Sequence, residues 1–507
     1  MVRSMLSSFS SIICLGFCFS SAALAGEEVS FELRLRGKPV RVAVEKSNTE
    51  YSGTGRELLP VQLGPHGTPV QMSRVLVAAR AGSRGADLSN RIAQLPGFLT
   101  IENRAFMGDA VVARFRDPLD ALAASNALLA DGVARYAHPD FHYPVETRGG
   151  FAPWQEPMLA DQWNLEMTRV TAAWRLAEGR HIVPAQTLVA VLDLGFESSH
   201  PDLQDAWLVN PGEIPANKKD DDGNGLIDDV AGWNFAVNGN NLLHGASNKH
   251  GTATSGIVGA RANGQGIAGI CSWCRVLPVV VDVSLLNQVA AFRYAHSRGA
   301  RIFSNSWGYR MRPPETDVVV EAINEVARDS VIIFAMSNAA TNDCRQPSPD
   351  ISAIESVIAI SSVNRDGVKV TSSGSGPCME LVAPSSGGPS DPAATPGIWT
   401  TDRVGQPGYN TGTDPANLTD PDYTNSFWGT SAAAPQVGGI VAMLQSFVPG
   451  ASPAALREAI LSTAQKVGGS DAGYDGNGFS SRYGFGMIDA EAALEKLLDR
   501  SARGTTD

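Results

Sequence analysis

The sequence predicts an α/β protein, with a doubly wound, mostly parallel sheet preceded by a small ferredoxin-like α+β domain. From residue 188 onward, strand and helix patterns alternate, as they do where helical crossovers join parallel strands. Several of these strands are apolar throughout, which is typical of strands covered on both faces of a sheet. Residues 71–140 follow the order β-α-β-β-α-β, which is the order of a ferredoxin-like domain.

Composition limits the classes of function. The 507 residues are 43% hydrophobic and 18% charged, so the chain can build a large core. The net charge of −12 argues against nucleic acid as a partner, because phosphate binding needs a basic face. Beyond residue 30 no apolar run reaches about 18 residues, so we expect no stable insertion into a membrane.

The first 25 residues have the pattern of a signal peptide. Arg3 precedes an apolar stretch at 12–19, and Ala23 and Ala25 form a small-x-small cleavage site. We therefore expect cleavage after Ala25 and export to the extracellular space or the periplasm. A membrane anchor is the alternative, but the apolar stretch is too short to span a bilayer.

Four of the six cysteines remain after removal of residues 1–25. They are Cys271, Cys274, Cys344 and Cys378. An even number in an exported protein favours disulfides over zinc, and four cysteines allow three pairings. The short spacing of Cys271 and Cys274 permits a local bridge, which leaves Cys344 with Cys378, and we expect this pairing. A redox Cys-x-x-Cys motif is the alternative, but no thioredoxin-like context surrounds it.

The small domain is read from its apolar rhythm between 71 and 140. Its predicted elements are strand 73–79, helix 86–95, strands 98–103 and 110–115, helix 118–130 and strand 132–137. Residues 26–70 form either an extra hairpin or a poorly ordered lead. A flexible linker at 146–150 ends this first unit. We therefore divide the mature chain into 26–148, 149–500 and a C-terminal tail at 501–507.

The large domain is read from five strands and five helices. The strands are 188–192, 275–281, 300–304, 331–335 and 356–361, and the helices are 286–297, 317–327, 431–447, 453–464 and 490–498. Residues 384–426 are rich in Gly, Pro, Ser, Thr and Asp, and we predict surface loops there. In such sheets functional residues lie at the carboxyl ends of strands.

Three residues stand where catalytic groups would be placed. Asp193 ends the first strand, although strand-end aspartates also cap turns. His250 begins a His-Gly-Thr triplet, and the small residues that follow it are typical of a buried helix. His66 begins the same triplet, but no helix pattern follows it, so we expect His66 to be a structural histidine. Ser431 begins a long apolar helix. It is either the N-cap of this helix or a nucleophile, in which case the free N–H groups at the helix start would stabilise the oxyanion formed on the attacked carbonyl.

Together these three motifs resemble the active-site motifs of the subtilisin-like serine peptidases, the subtilases, in the family order of Asp193, His250 and Ser431. The resemblance extends from about residue 163 to 498. Leu194 stands where Thr or Ser is usual, and Ala432 where Met is usual. None of these departures removes a reacting group.

The resemblance implies further site residues. Asn338 would donate its side-chain amide to the oxyanion. The segment expected to line substrate and one wall of the specificity pocket is Ser304, Asn305, Ser306, Trp307 and Gly308. The residues before Asn338 would also form a wall of that pocket; they are Ala335, Met336 and Ser337, where the family usually has Ala-Ala-Gly.

The resemblance also implies a secreted serine endopeptidase made as a zymogen, with protein or peptide substrates and an acyl-enzyme intermediate. Residues 26–148 would be a propeptide that assists folding, inhibits the enzyme and is removed near 145–150, its last strand leading into the active site. We expect a monomer. The alternatives are an inactive subtilase-fold protein that binds a partner in a calcium-dependent way, and a small domain that inhibits other peptidases.

The segment 219–229 resembles calcium loops of the EF-hand type. The candidate ligands are the side chains of Asp220, Asp222, Asn224 and Asp228 and the carbonyl of Leu226. Oxygen ligands at this density favour Ca²⁺ over zinc, and similar Asp-rich insertions occur in subtilases between the Asp and His motifs. The glutamate that ends an EF-hand loop is missing here, and a solvated acidic loop is the alternative.

Overall fold

The computed structural model separates into two units, Met1–Thr147 and Arg148–Asp507. The residues that it describes are 28–35, 38–45, 58–62, 67–80, 85–102, 110–116, 118–141, 153–243, 248–309, 314–345, 349–388, 396–405, 408–412 and 420–503. The predicted signal peptide, His66, the linker with its cleavage region and the end of the tail lie outside these residues.

The first unit is built on an antiparallel sheet with two helices. Its elements are β1 (Glu28–Leu35), β2 (Lys38–Glu45), β3 (Leu58–Gln62), β4 (Gly67–Ala79), α1 (Gly85–Ala93), β5 (Phe98–Glu102), β6 (Ala110–Phe115), α2 (Pro118–Ala130) and β7 (Ala134–Phe141). The strands follow the order β1-β2-β3-β4-β6-β5, and β7 pairs with β4. Strands β4 to β7 and the two helices thus have the β-α-β-β-α-β order. Of the two possibilities for residues 26–70, the structure contains the hairpin, as β1 and β2.

The core of the first unit lies between its sheet and its helices. Val75 and Val77 of β4, Ile92 of α1 and Leu128 of α2 belong to one buried apolar cluster. Strand β4 contributes alternate residues to this cluster, as a strand with one covered face does. The helices of this unit therefore gain their stability from packing against the sheet.

The second unit carries a seven-stranded sheet surrounded by helices. Its elements are α3 (Trp163–Met167), α4 (Val170–Gly179), β8 (Leu188–Asp193), β9 (Trp233–Asn234), α5 (Asn248–Gly259), β10 (Arg275–Val280), α6 (Leu285–Ser297), β11 (Ile302–Asn305), α7 (Asp317–Val326), β12 (Val331–Ala335), β13 (Val357–Val363), β14 (Met379–Pro384), β15 (Ile398–Thr401), β16 (Tyr423–Phe427), α8 (Thr430–Phe447), α9 (Pro453–Ser462) and α10 (Ala490–Ala502). The sheet order is β14-β13-β12-β11-β8-β10-β9, and every pair is parallel. The predicted doubly wound sheet is confirmed.

Both faces of this sheet are covered, which explains its continuously apolar strands. Val189 and Val191 of β8 join one apolar cluster with residues of α5 and α8. Ala190 and Leu192 point the other way and join a second cluster with residues of α6 and α7. Successive residues of β8 thus pack alternately into the two apolar clusters, one on each face of the sheet.

The strand order positions a site at the end of β8. From β8 the sheet continues through β10 on one side and through β11 and β12 on the other. All these strands are parallel, so their carboxyl ends lie along the same edge. Asp193, Asn305 and Ala335 end three of these strands. Ligands bind in open α/β sheets at such a reversal of strand order.

The prediction of loops alone at 384–426 is wrong, because β15 and β16 form a two-stranded antiparallel sheet there. Thr400 and Thr401 are fully buried. Their hydroxyl groups donate to the carbonyl oxygens of Ala253 and Thr252 in α5, at 2.6 and 2.8 Å. The polar composition of this segment therefore serves hydrogen bonds in the interior as well as solvent.

Two disulfides join the four cysteines of the second unit. Cys271 pairs with Cys274 and Cys344 with Cys378, as expected from the sequence. Within the described ranges, no helix is both long enough and apolar enough to cross a membrane.

Candidate active site

Asp193 and His250 form a hydrogen-bonded pair at the edge of the sheet. Nδ1 of His250 lies 2.7 Å from Oδ1 of Asp193. The Asp193 side chain is 1% exposed, whereas the His250 ring keeps 20% of its surface accessible. The carboxylate is therefore shielded from water, and the imidazole can reach a reacting group on its outer side.

Both oxygens of the Asp193 carboxylate have partners. Oδ1 accepts a bond from the Leu194 N–H at 2.7 Å, and Oδ2 accepts one from the buried Thr254 hydroxyl at 3.0 Å. Thr254 lies one helical turn after His250 in α5, so the same helix supplies the histidine and one of the donors that hold its carboxylate. These bonds leave the carboxylate one orientation, facing Nδ1.

Helix α5 approaches the chain after β8 closely, and Gly251 permits this. A Cβ atom at Gly251 would lie 2.3 Å from the carbonyl oxygen of Gly195 and 2.8 Å from the ring of Phe196. A side chain at this position would push the helix away and break the contact between His250 and Asp193. The glycine of the His-Gly-Thr triplet therefore has a packing reason.

The environment of His250 raises the pKa of its imidazole. Burial opposes the charged ring, but the negative charge of Asp193 and its hydrogen bond outweigh this effect. The ring also packs edge to face against Phe427, with 5.5 Å between centroids. Asp193 therefore both orients the imidazole and stabilises its protonated form.

Ser431 lies in the first turn of α8. Its hydroxyl donates to the carbonyl oxygen of Ser306 at 3.3 Å, and no hydrogen bond joins it to His250, both residues being described. Gly429 precedes the helix with φ +78°, and a Cβ atom there would lie 2.7 Å from Oδ1 of Asn338. The helix start thus places Ser431 beside Asn338, with backbone N–H groups free of helical partners.

Asn338 is oriented by the residue next to Ser431. Its Oδ1 accepts from the Thr430 N–H at 2.9 Å, and the Thr430 hydroxyl, which donates to the Met336 carbonyl oxygen at 2.5 Å, lies 3.1 Å from the same Oδ1. With Oδ1 held in this way, the Nδ2 group has no protein acceptor in the described residues and is available as a donor. The sequence did not single out Thr430, which has the positioning role here.

A cavity of about 240 Å³ opens beside Ser431 and Asn338. Six of the residues predicted to bind substrate line it: Ser306, Trp307, Gly308, Ala335, Met336 and Ser337. Ser304 and Asn305 do not line it. They are 1% and 0% exposed in β11, and Asn305 donates to the carbonyl oxygen of Ile333 at 3.0 Å. The strand keeps these two side chains inside the sheet, and the cavity begins only after the strand ends.

The acidic loop brings together a carboxylate set that differs from the predicted one. Oxygen atoms of Glu213, Asp220 and Asp222 lie within 4.8 Å of one another. Glu213 was not anticipated, because it lies outside the Asp-rich segment. Carboxylate oxygens are the ligands that Ca²⁺ prefers. The side chain of Arg298 pairs with Asp222 on one side of this cluster.

Asp228 turns away from this cluster. Its carboxylate accepts from the N–H groups of Asn217 and Lys218 at 3.1 and 3.0 Å. Oδ1 of Asn224 accepts from the Leu226 N–H at 2.8 Å. The structure therefore places the carboxylates of Asp220 and Asp222 in one cluster, whereas those of Asp220 and Asp228 and the amide oxygen of Asn224 all accept N–H groups of the loop itself.

Comparisons with known proteins agree with this architecture. The sequence profile of the subtilase family (Peptidase_S8) matches residues 185–486, more than half of the chain. A calcium-dependent protease of Trichormus variabilis is 28% identical over an alignment of 412 positions, which covers 74% of this chain and 55% of that protein. Fervidolysin of Fervidobacterium pennivorans is 26% identical, over 68% of this chain and 45% of its own length. The chain thus spans about half the length of these curated relatives.

Solved structures share the fold. A serine protease of Aeromonas sobria, determined in complex with its chaperone, superimposes with a TM-score of 0.54 at 21% identity, covering 68% of this chain and 67% of that one. A lanthipeptide protease gives a TM-score of 0.50 at 21% identity, covering 67% and 95%.

Proposed function

This chain belongs to the subtilase family, and from this premise we propose that it is a serine endopeptidase that acts through Asp193, His250 and Ser431. The resemblance read from its motifs is thereby confirmed at the level of the family. The observation that carries the proposal is the Asp193–His250 bond of 2.7 Å, with Ser431 and Asn338 beside one cavity. A base with a fixed tautomer, a hydroxyl and an amide donor are the groups that acyl transfer needs.

In the proposed reaction the Ser431 hydroxyl leaves the Ser306 carbonyl and gives its proton to Nε2 of His250. Its Oγ forms a bond to the scissile carbonyl carbon. The protonated His250 then donates to the leaving amine, and the C–N bond breaks to leave an acyl-enzyme. Water repeats the sequence, with His250 as base, and releases the acid.

The negative oxygen that forms on the attacked carbonyl needs donors aimed at it in advance. We assign this role to the Ser431 N–H and to Nδ2 of Asn338. Thr430 supports the assignment, because its backbone N–H donates to Oδ1 of Asn338 and so decides which end of the amide is free. The donors therefore need no reorganisation when the charge develops.

The test is labelling by a fluorophosphonate probe together with hydrolysis of a peptide mixture. We expect the wild type to be labelled and active, and Ser431→Ala and His250→Ala to lose both properties. Ser462→Ala, which removes an exposed serine on α9, is the matched control and should keep both. A folded wild type that is neither labelled nor active would favour the alternative, an inactive subtilase-fold protein that binds a partner.

We further propose that the chain is exported and matures from a zymogen, with residues 26–148 as its propeptide. The pattern of residues 1–25 supports export. The separate first unit, with its own apolar core, supports a folded propeptide. The intact mass of the wild type and of Ser431→Ala after expression tests this. Loss of the propeptide in the wild type alone supports self-processing, whereas a full-length wild type that is active on peptides contradicts it.

Calcium is the third part of the proposal. The carboxylates of Glu213, Asp220 and Asp222 fit a Ca²⁺ ion in their chemistry and mutual distances. Two relatives named calcium-dependent protease support this assignment. A bound ion would neutralise the mutual repulsion of the three carboxylates and hold the acidic loop before β9 in place.

A further inference from the structure

A buried carboxylate lies on the wall of the cavity beside Ser431. Asp350 lines this cavity together with Ser431 and Asn338, yet it is only 4% exposed. Asn338 is exposed and Ser431 is half-buried. The lining of one cavity therefore includes both the groups proposed to react and a carboxylate that is almost fully shielded from water.

The position of the Asp350 carboxylate is well defined. Its Oδ1 accepts from the Ser352 N–H, as the N-cap of a single 3-10 turn. Its backbone N–H donates to the carbonyl oxygen of Asp343 at 2.8 Å. On the other side it lies against Gly308, where a Cβ atom would be 2.9 Å from Oδ1. The absence of a side chain at Gly308 therefore leaves the carboxylate room beside the cavity wall.

The charge of Asp350 has no basic partner in the described residues. Among those residues, the charged group that acts on Asp350 is the carboxylate of Asp343. Burial and this like charge together raise the pKa of Asp350 to about 7. Asp343 itself is fully used by the loop, since it accepts from the Ser337 N–H and from the hydroxyls of Ser337 and Thr341. A cation that entered the cavity would relieve the repulsion between the two carboxylates.

We propose that this cavity receives a lysine or arginine side chain of the substrate, and that Asp350 binds its cationic group. The inference rests on the proposed hydrolytic function. The attacked carbonyl must lie between Ser431 and Nδ2 of Asn338, so the side chain that enters the adjacent cavity belongs to the residue that supplies that carbonyl. An aspartate that lines such a pocket selects basic residues by charge.

The walls of the cavity suit the rest of such a side chain. Trp307, Ala335 and Met336 contribute apolar side chains to the lining of the cavity. The methylene stems of lysine and arginine pack against apolar surface while their charged ends seek a polar partner. A purely apolar side chain would fill the same space but would leave the Asp350 carboxylate desolvated without a counter-charge.

The test compares kcat/KM for peptides that differ only in lysine or norleucine at the residue before the scissile bond, since norleucine lacks only the ammonium group of lysine. We expect the wild type at pH 8 to prefer lysine by at least about 10-fold, the scale of one desolvated charge pair. Asp350→Asn keeps an oxygen acceptor for the Ser352 N–H. In this variant we expect kcat/KM for the lysine peptide to fall and kcat/KM for the norleucine peptide to stay the same, so that the preference is lost. Asp317→Asn, an exposed aspartate at the start of α7, is the matched control.

Each outcome distinguishes this inference from the proposed function. An active wild type with equal kcat/KM for the two peptides overturns the basic pocket and leaves the hydrolase intact, even if Asp350→Asn does not fold. A preference that survives in Asp350→Asn places the selective group elsewhere and also overturns it. A wild type that cleaves neither peptide and takes no fluorophosphonate label overturns the proposed function instead.

Discussion

At the scale of residues, the candidate site depends on hydrogen bonds that fix the orientation of Asp193 and Asn338. Thr254 and the Leu194 N–H hold the two oxygens of Asp193, and Thr430 holds Oδ1 of Asn338. Each bond converts a side chain with several rotamers into one that points at a defined place. Such preorganisation is what makes a donor useful at the moment when charge develops.

Replacement of Asn338 by alanine tests the amide donor. We expect kcat to fall by about 10² to 10³ with little change in KM, because the amide acts on the transition state more than on bound substrate. Steady-state kinetics on one peptide would measure this. Asn477→Ala, at an exposed asparagine, serves as control. A kcat equal to the wild-type value would show that Asn338 does not bind the oxyanion.

The pKa of Asp350 predicts a pH-dependent selectivity. Because burial raises this pKa to about 7, the carboxyl group is charged at pH 8 and becomes neutral as the pH falls below 7. The titratable groups that act on it in the described residues are Asp343 and the Tyr309 phenol. We expect the preference for lysine over norleucine to shrink between pH 8 and pH 6.

The ratio of the two kcat/KM values isolates this effect, because protonation of His250 slows both peptides equally. In Asp350→Asn the ratio should not vary with pH. A wild-type ratio that grows on acidification would have the wrong sign and would contradict the assignment.

At the scale of elements, one disulfide supports the cavity wall. Cys344 follows Asp343, and the Asp343 carboxylate accepts from the N–H of Ser337, a residue of the cavity wall, at 2.7 Å. The disulfide between Cys344 and Cys378 ties the loop that carries Asp343 to the residue before β14. The other disulfide, Cys271–Cys274, closes a much shorter loop. The two bridges therefore differ in how far they restrict the unfolded chain.

This difference predicts unequal losses of stability. Cys344 and Cys378 are 34 residues apart, so replacing both with alanine should lower the free energy of unfolding by about 3 to 4 kcal/mol. For Cys271 and Cys274, 3 residues apart, the loop-closure contribution is about 1 to 2 kcal/mol. Denaturant unfolding of both double variants, made in the Ser431→Ala background to prevent self-digestion, would compare them. Equal losses would contradict the loop-length argument.

At the scale of the whole molecule, a parallel sheet collects residues that are far apart in sequence. Asp193, His250, Asn338 and Ser431 span most of the second unit, yet the carboxyl ends of β8 and β12 and the starts of α5 and α8 bring them to one edge of the sheet. The acidic loop at 219–229 lies between β8 and β9, so its conformation bears on the packing of β9 beside β10 in the sheet.

Calcium should therefore stabilise the second unit. We expect EDTA to lower the midpoint of thermal unfolding of Ser431→Ala and added Ca²⁺ to restore it, because Ca²⁺ at 100 times Kd adds about 2.7 kcal/mol to the free energy of unfolding. In the Ser431→Ala background, a second substitution, Glu213→Gln, should raise the Ca²⁺ concentration at which half of the stabilisation is reached. The control substitution Glu495→Gln, at an exposed position on α10, should leave that concentration unchanged. A midpoint that is indifferent to EDTA would contradict a structural calcium site.

The sequence by itself predicted the family and the doubly wound sheet, with five of the seven strands that the structure describes. Strands buried on both faces must be apolar throughout, so β8, β10, β12 and β13 were visible as apolar runs. The two groups proposed to react, His250 and Ser431, each lie close to a glycine in a short motif, so the sequence singled out both segments. The pairing of Cys271 with Cys274 followed from local spacing alone.

Only the tertiary structure decided which side chains share a cavity or a cluster. Ser304 and Asn305 belong to the predicted substrate segment but lie inside the sheet, because β11 ends only at Asn305. Glu213 joins Asp220 and Asp222, and Asp350 joins Ser431, across stretches of chain that carry no periodic signal. Burial and hydrogen bonding depend on distances between segments brought together by folding, and the spacing of residues along the chain does not contain those distances.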